Sequence, residues 1–150
     1  MKTLPYESAN AGDRALTELQ RTLEKFGCAS FGVMTDAENG KTIVQFKWRE
    51  RQVSLEASWK GYASAWLKIH PYKSSFHKSR ADHESRALAQ AKMSVCSCLR
   101  DWVKGQMVAV ECGVMSFEAA FMPHMLTTSG MRLVDCLDVQ KLLPPPTKDT

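Results

Sequence analysis

Residues 42–58 constrain the fold more than any other stretch, because apolar and polar side chains alternate there almost without a break. Thr42, Val44, Phe46 and Trp48 alternate with Ile43, Gln45, Lys47 and Arg49. Beyond a polar turn at Glu50-Arg51, Val53, Leu55 and Ala57 alternate with Ser54, Glu56 and Ser58. Successive side chains of a strand point to opposite faces, so the pattern predicts two antiparallel strands with one apolar and one polar face. Asn39-Gly40 is a hairpin signal, since both residues accept positive φ, and it joins a first strand over residues 30–35 to the second.

Around this meander the periodicity turns helical. From about residue 10, Leu16, Leu19, Leu23 and Phe26 fall on one face, and Gly27 is a natural terminator. Ser58 predicts a cap for a helix over residues 59–69, which has to stop before Pro71. A long helix is expected from near Ser79, with Asp82 and Glu84 in its first turn and a stripe of Leu88, Ala91, Val95, Leu99 and Trp102. Gly105 predicts its end or a kink. Ser116 opens a short helix carrying Phe117 and Phe121 before Pro123, and Leu133, Leu137 and Leu142 predict a last one.

The order α-β-β-β-α-α-α-α predicts a two-layer α+β fold: an N-terminal helix, a three-stranded antiparallel meander, then helices over its apolar face. One domain over residues 1–143 with a flexible Pro-rich tail over 144–150 suits a chain of 150 residues. No apolar run approaches the ~20 residues of a membrane span, and the opening residues lack a secretory signal, so no membrane contact is expected. Cys28, Cys96, Cys98, Cys112 and Cys136, odd in number and irregular in spacing, read as small buried hydrophobes in a reducing cytoplasm.

The net charge of +4 hides an asymmetry. Residues 41–80 hold nine basic side chains against two acids, and no acid lies between Glu56 and Asp82. Phe46, Trp48, Trp59, Tyr62, Trp66, Tyr72 and Phe76 interleave with the cations. Basic groups neutralise phosphates, and aromatic faces stack on unpaired bases. Lys47, Arg49, Arg51, Lys60, Lys68, Lys73, Lys78 and Arg80 are therefore the expected phosphate contacts, with Tyr72 and Phe76 as stacking platforms. The polar sheet face is expected to lie beside the 71–79 loop as one surface. The other sheet aromatics alternate as core residues do. The partner expected is nucleic acid, DNA before RNA, with little sequence preference. An acidic surface on a host protein is the alternative partner, and a structural role in a virion is the third reading.

No motif points to catalysis, a cofactor or a metal. Cys96 and Cys98, two apart on a helix, point about 200° away from each other and suit no zinc site. His77 and His83 read as solvated, His70 as favoured by a helix C-terminus, and His124 as a satisfied core histidine. Asp36, Glu56 and Lys60 do not form the compact acid cluster of a metal-dependent nuclease, and a glycine-rich phosphate loop is missing. Phe117, Phe121, Met122, Met125 and Leu126 read as core first and as a homo-oligomer contact second.

Arg100-Asp101-Trp102-Val103-Lys104-Gly105-Gln106, Val110-Glu111-Cys112-Gly113, Ser116-Phe117-Glu118, Phe121-Met122-Pro123 with Met125-Leu126, and Leu142-Leu143-Pro144-Pro145 together cover about a third of the chain. In these segments it resembles uncharacterised conserved proteins of tailed phages and prophages of proteobacteria. The resemblance implies a phage or prophage origin and carries over no activity or site residue. The β-β-β-α order with a basic face also looks like the core of phage single-strand annealing proteins, in topology alone.

Overall fold

The structure, a computed structural model, describes residues 2–147. It has the predicted α+β order: α1 (Asp13–Lys25), β1 (Ser30–Asp36), β2 (Lys41–Trp48), β3 (Arg51–Ser58), α2 (Trp59–Ile69), α3 (Arg80–Glu111), α4 (Phe117–Phe121), a 3-10 turn (Met122–His124), α5 (Leu133–Cys136) and α6 (Val139–Leu142). Helix α1 buries Ala15, Leu19 and Leu23. It ends in a Schellman motif: Cys28 N–H bonds to Leu23 O, Gly27 N–H to Glu24 O, and Gly27 takes φ 87°.

The three strands form one antiparallel sheet in the order β1-β2-β3. Val33 faces Val44 and Val44 faces Leu55, while Phe31, Phe46 and Val53 line up beside them, so one face is continuous and apolar. The first turn is closed by Asp36, whose carboxylate accepts the Asn39 N–H at 3.0 Å. The second turn lies one residue earlier than the sequence suggests. Trp48 pairs with Arg51, and the two linking residues, Arg49 and Glu50, both have positive φ, which is the tightest hairpin geometry. Neither is glycine, which is why composition alone misplaces the turn.

Helices α1, α3 and α4 cover the apolar face. Leu19, Leu23, Val44, Phe46, Trp48, Val53, Leu55, Val103, Met107, Phe117 and Phe121 form this main core. A second core joins α2 to the first half of α3 through Trp59, Ala63 and Trp66 against Ala87, Ala91 and Val95. The buried indoles have partners: Trp59 Nε1 donates to Thr42 Oγ1 at 2.9 Å, and Trp48 Nε1 to Phe26 O at 3.0 Å.

Helix α3 departs from expectation in two ways. It runs through Gly105 to Glu111, and its stripe is His83, Ala87, Ala91, Ser94–Val95, Val103 and Met107. Leu88 and Trp102 are instead 38% and 37% exposed. For Leu88 the reason is steric: α2 brings Trp59 and Trp66 to the interface, where Ala87 and Ala91 leave room for them. The last predicted helix is broken in two by extended backbone at Leu137, and Leu137 and Leu142 are exposed.

After α4 the chain turns back over β3. Met125 bridges to Val53, and Leu126 N–H bonds to Gln52 O at 2.8 Å. Arg132 then pairs with Glu56 at 2.7 Å, and Glu56 with Lys41 at 2.6 Å, beside the buried Ile43 on the polar face. Part of the face expected to stand open is therefore occupied by the chain's own carboxylates and by Arg132. Residues 144–147 have no regular structure, and residues 148–150 of the expected tail lie outside the described residues. No helix is long and apolar enough to cross a membrane among the described residues.

Candidate nucleic-acid interface

The basic segment does not form one surface. Helix α3 separates its two ends: Phe76 and Tyr72 pack against His83 near the start of α3, while Trp48, Arg49 and Arg51 share a groove with Val110 near its end. At 1.5 Å per residue the 27 residues from His83 to Val110 span roughly 40 Å. The expected juxtaposition of the polar sheet face with the 71–79 loop is thus corrected. A continuous basic sequence became two ends because β3 leads into a helical hairpin that points away from the sheet.

The tip of that hairpin holds most of the predicted residues. Pro71 follows the end of α2, and Ser79 starts α3 by accepting the Asp82 N–H at 3.1 Å. Between them the loop is organised by its own side chains. The Tyr72 hydroxyl donates to Lys78 O at 2.9 Å, its ring meets Phe76 edge-on at 5.9 Å, and the Arg80 guanidinium lies over it at 5.2 Å. Tyr72 is therefore half-buried support, whereas Phe76 is 41% exposed. Lys68, Lys73, Lys78 and Arg80 are exposed around this loop, and none pairs with a carboxylate among the described residues. Asp82 and Glu84 in the first turn of α3 are the opposing charges on the same helix end.

Beside the loop is a cleft of about 600 Å³ lined by Glu7, Trp66, His70, Phe76, His77, Lys78, His83, Arg86 and Gln90. His83 corrects the expectation of a solvated side chain: it is 6% exposed, and its Nε2 donates to His70 O at 2.7 Å. A carbonyl only accepts, so Nε2 is the donor, and Nδ1 is the ring nitrogen left without a partner in this contact. The His70 ring bonds to Glu7 Oε2 at 2.9 Å, and Leu4 N–H donates to the same oxygen. These two contacts hold the Glu7 carboxyl below its ordinary value.

Arg86, Gln90, Glu7, His70 and His83 were missed as site residues. A signal for three of them exists, since 83, 86 and 90 share one face of α3 at helical spacing. Glu7 carries none, because it arrives from the N-terminal lead-in. That segment is fixed across the helices by Tyr62 Oη donating to Pro5 O, Ser94 Oγ to Tyr6 O, and Gln90 Nε2 to Ala9 O.

The remaining predicted residues lie elsewhere. Arg49 stacks on Trp48 at 4.3 Å, and with Arg51 it borders a groove of about 670 Å³ that also takes in Val114, Met115 and Phe117. Lys47 approaches Glu50 at 3.7 Å. Lys60 is apart from both ends: its Nζ donates to Glu38 O at 3.1 Å, and its stem covers Gly40.

The cysteines and His124 also differ from expectation. Cys96 is buried and Cys28 half-buried, with burial pushing the Cys28 thiol up to about 11, but Cys98, Cys112 and Cys136 are exposed. His124 Nδ1 is buried without a hydrogen-bond partner among the described residues, so the ring is not satisfied there. Among the described residues no group of three or more His, Cys, Asp or Glu side chains could hold a metal ion. No family model, curated protein or solved structure matches the chain.

Proposed function

We propose that this chain is a small accessory protein that binds nucleic acid, DNA before RNA, at the tip of the α2–α3 hairpin. The observation that carries the reading is that Lys68 in the last turn of α2, Lys73 and Lys78 in the loop, and Arg80 and Arg86 in the first turns of α3 flank the segment bearing an exposed Phe76, with no carboxylate partner for any of the five among the described residues. Unpaired cations attract a polyanion over a Debye length and lose that attraction in salt. An exposed ring beside them adds a stacking surface that any base can use. Contacts of this kind read the backbone, so sequence preference is weak. A phage or prophage setting agrees with the resemblance in the C-terminal half, and action in the bacterial cytoplasm follows from it. The virion reading has no feature of its own in its favour.

Titration of labelled single-stranded DNA, duplex DNA and RNA by anisotropy across a salt series tests this. Binding at micromolar concentration or tighter is expected, with a log–log salt slope between about −2 and −3.5 for single strands if three to five phosphates are neutralised. Absence of binding at low salt would refute it.

A second reading is favoured by the opposite end. Val114 is 74% exposed beside Met115, Arg49 and Arg51, and the two arginines lack carboxylate partners among the described residues. An acidic, apolar segment of a host protein complements that groove in charge and in character. Stoichiometric capture of one such protein free of nucleic acid, lost on Arg51→Glu, would support this reading; capture that Arg51→Glu leaves intact would remove it.

A further inference from the structure

We infer that the cleft at the tip takes one unstacked base of a single DNA strand, and that it favours a base carrying an exocyclic amino group. The inference rests on the reading of the tip as a nucleic-acid surface and adds what the cleft itself contributes. At about 600 Å³ it falls within the usual range of small-molecule sites, and its walls are mostly apolar. Trp66 and Phe76 both line it, Trp66 held among other rings (His70 at 4.7 Å and His83 at 5.2 Å) and Phe76 exposed at its rim. Trp66 is buried and forms the floor, so a base leaving solvent against the exposed Phe76 ring gains stacking area that a phosphate alone does not offer.

The polar groups set the preference. Gln90 spends its amide nitrogen on Ala9 O and Ser94 Oγ, which leaves its carbonyl oxygen as an acceptor. Glu7 spends Oε2 on His70 and Leu4, and Oε1 has no partner among the described residues. His83 Nε2 donates to His70 O, so in its neutral tautomer Nδ1 is the acceptor. The cleft therefore presents three acceptors for a base, while its charged donors, Lys78 and Arg86, are drawn to phosphate. Cytosine, adenine and guanine each offer an amino group, and thymine offers only acceptors apart from its ring N–H. The cations of the cleft, Lys78 and Arg86, suit the phosphates on either side of the base. In a duplex the base faces are stacked and out of reach, so single strands are preferred.

The test compares labelled oligo(dC), oligo(dT) and an abasic strand, all of equal length and charge, against the wild-type protein, Phe76→Ala and Glu7→Gln. The wild type is expected to bind oligo(dC) at least about tenfold more tightly than the abasic strand, the scale of one base–aromatic stack. Oligo(dT) should fall between them. Phe76→Ala should bring oligo(dC) close to the abasic strand, and Glu7→Gln should narrow the gap between oligo(dC) and oligo(dT). Equal binding of oligo(dC) and the abasic strand would overturn the cleft while leaving the phosphate-binding tip intact. So would a preference that neither variant changes, or oligo(dT) binding as well as oligo(dC). Failure of all three strands to bind would overturn the cleft and the tip together.

Discussion

His83 Nε2 donates a 2.7 Å hydrogen bond to the carbonyl of His70, and this one contact ties the start of α3 to the end of α2. It sits at the base of the 71–79 loop, with Trp66 and Phe76 against the same ring. His83→Ala removes a buried bond and leaves a void among aromatic neighbours. A loss of about 2 kcal/mol in stability is expected. Urea unfolding should show a lower midpoint at an unchanged slope; an unchanged midpoint would mean that the contact does not hold the tip.

The β2–β3 turn carries avoidable strain. Glu50 takes φ 67° with a side chain that disfavours it, in the position of a tight hairpin where glycine is preferred. Glu50→Gly is expected to raise stability by about 0.5–1 kcal/mol after the added entropy of the unfolded chain. The melting temperature should rise by about 2 °C. A fall would show that Glu50 contributes more through Lys47 than its backbone costs.

Gly40 is the opposite case. Its φ is 65°, and an added Cβ would lie 2.5–2.7 Å from three carbons of the Lys60 side chain. Gly40→Ala should cost about 1–2 kcal/mol through the left-handed backbone alone, since the Lys60 stem can swing away. The swing would break the bond from Lys60 to Glu38 O. Equal stability of wild type and variant, measured by denaturant titration, would contradict this.

His124 gives the fold a pH dependence. Burial first, and the charge of Arg132 second, hold its pKa below the ordinary value of 6.5. The unfolded chain binds the proton more readily, so the stability linked to this ring is fully present above about pH 6.5 and is lost as the pH falls below that toward the folded value. His124→Phe should shrink the drop in melting temperature between about pH 7 and pH 5. An identical drop in both proteins would place the acid sensitivity elsewhere.

The sheet and the helix caps were legible because each depends on local chemistry. Alternation through Val44, Phe46 and Trp48 fixed the apolar face, and Ser58, Ser79 and Ser116 each cap the helix expected of them. What depended on tertiary packing was not legible. Leu88 looks more buried than Ala87 until α2 is known to bring Trp59 and Trp66 against that face. The Arg49-Glu50 turn has no glycine to mark it. Of the residues expected to share one surface, Lys73, Phe76, Lys78 and Arg80 lie on one loop and helix start, while Arg49 and Arg51 are joined to them only by adjacency in sequence. Glu7 reaches the cleft from 63 residues away from its partner His70, a distance no local pattern spans.

The central claim is that the α2–α3 tip, and not the β2–β3 turn, is the surface that meets nucleic acid. The most direct measurement titrates single-stranded DNA, in a salt series, with two charge-reversed proteins: Lys73→Glu/Lys78→Glu at the tip and Arg49→Glu/Arg51→Glu at the turn. Circular dichroism confirms beforehand that both are folded, as expected for exposed side chains whose neighbours bond to backbone. The tip variant is predicted to bind at least about tenfold more weakly with a salt slope shallower by about 1–2, and the turn variant to stay within about twofold of wild type. Unchanged affinity in a folded tip variant, or a loss confined to the turn variant, would contradict the account.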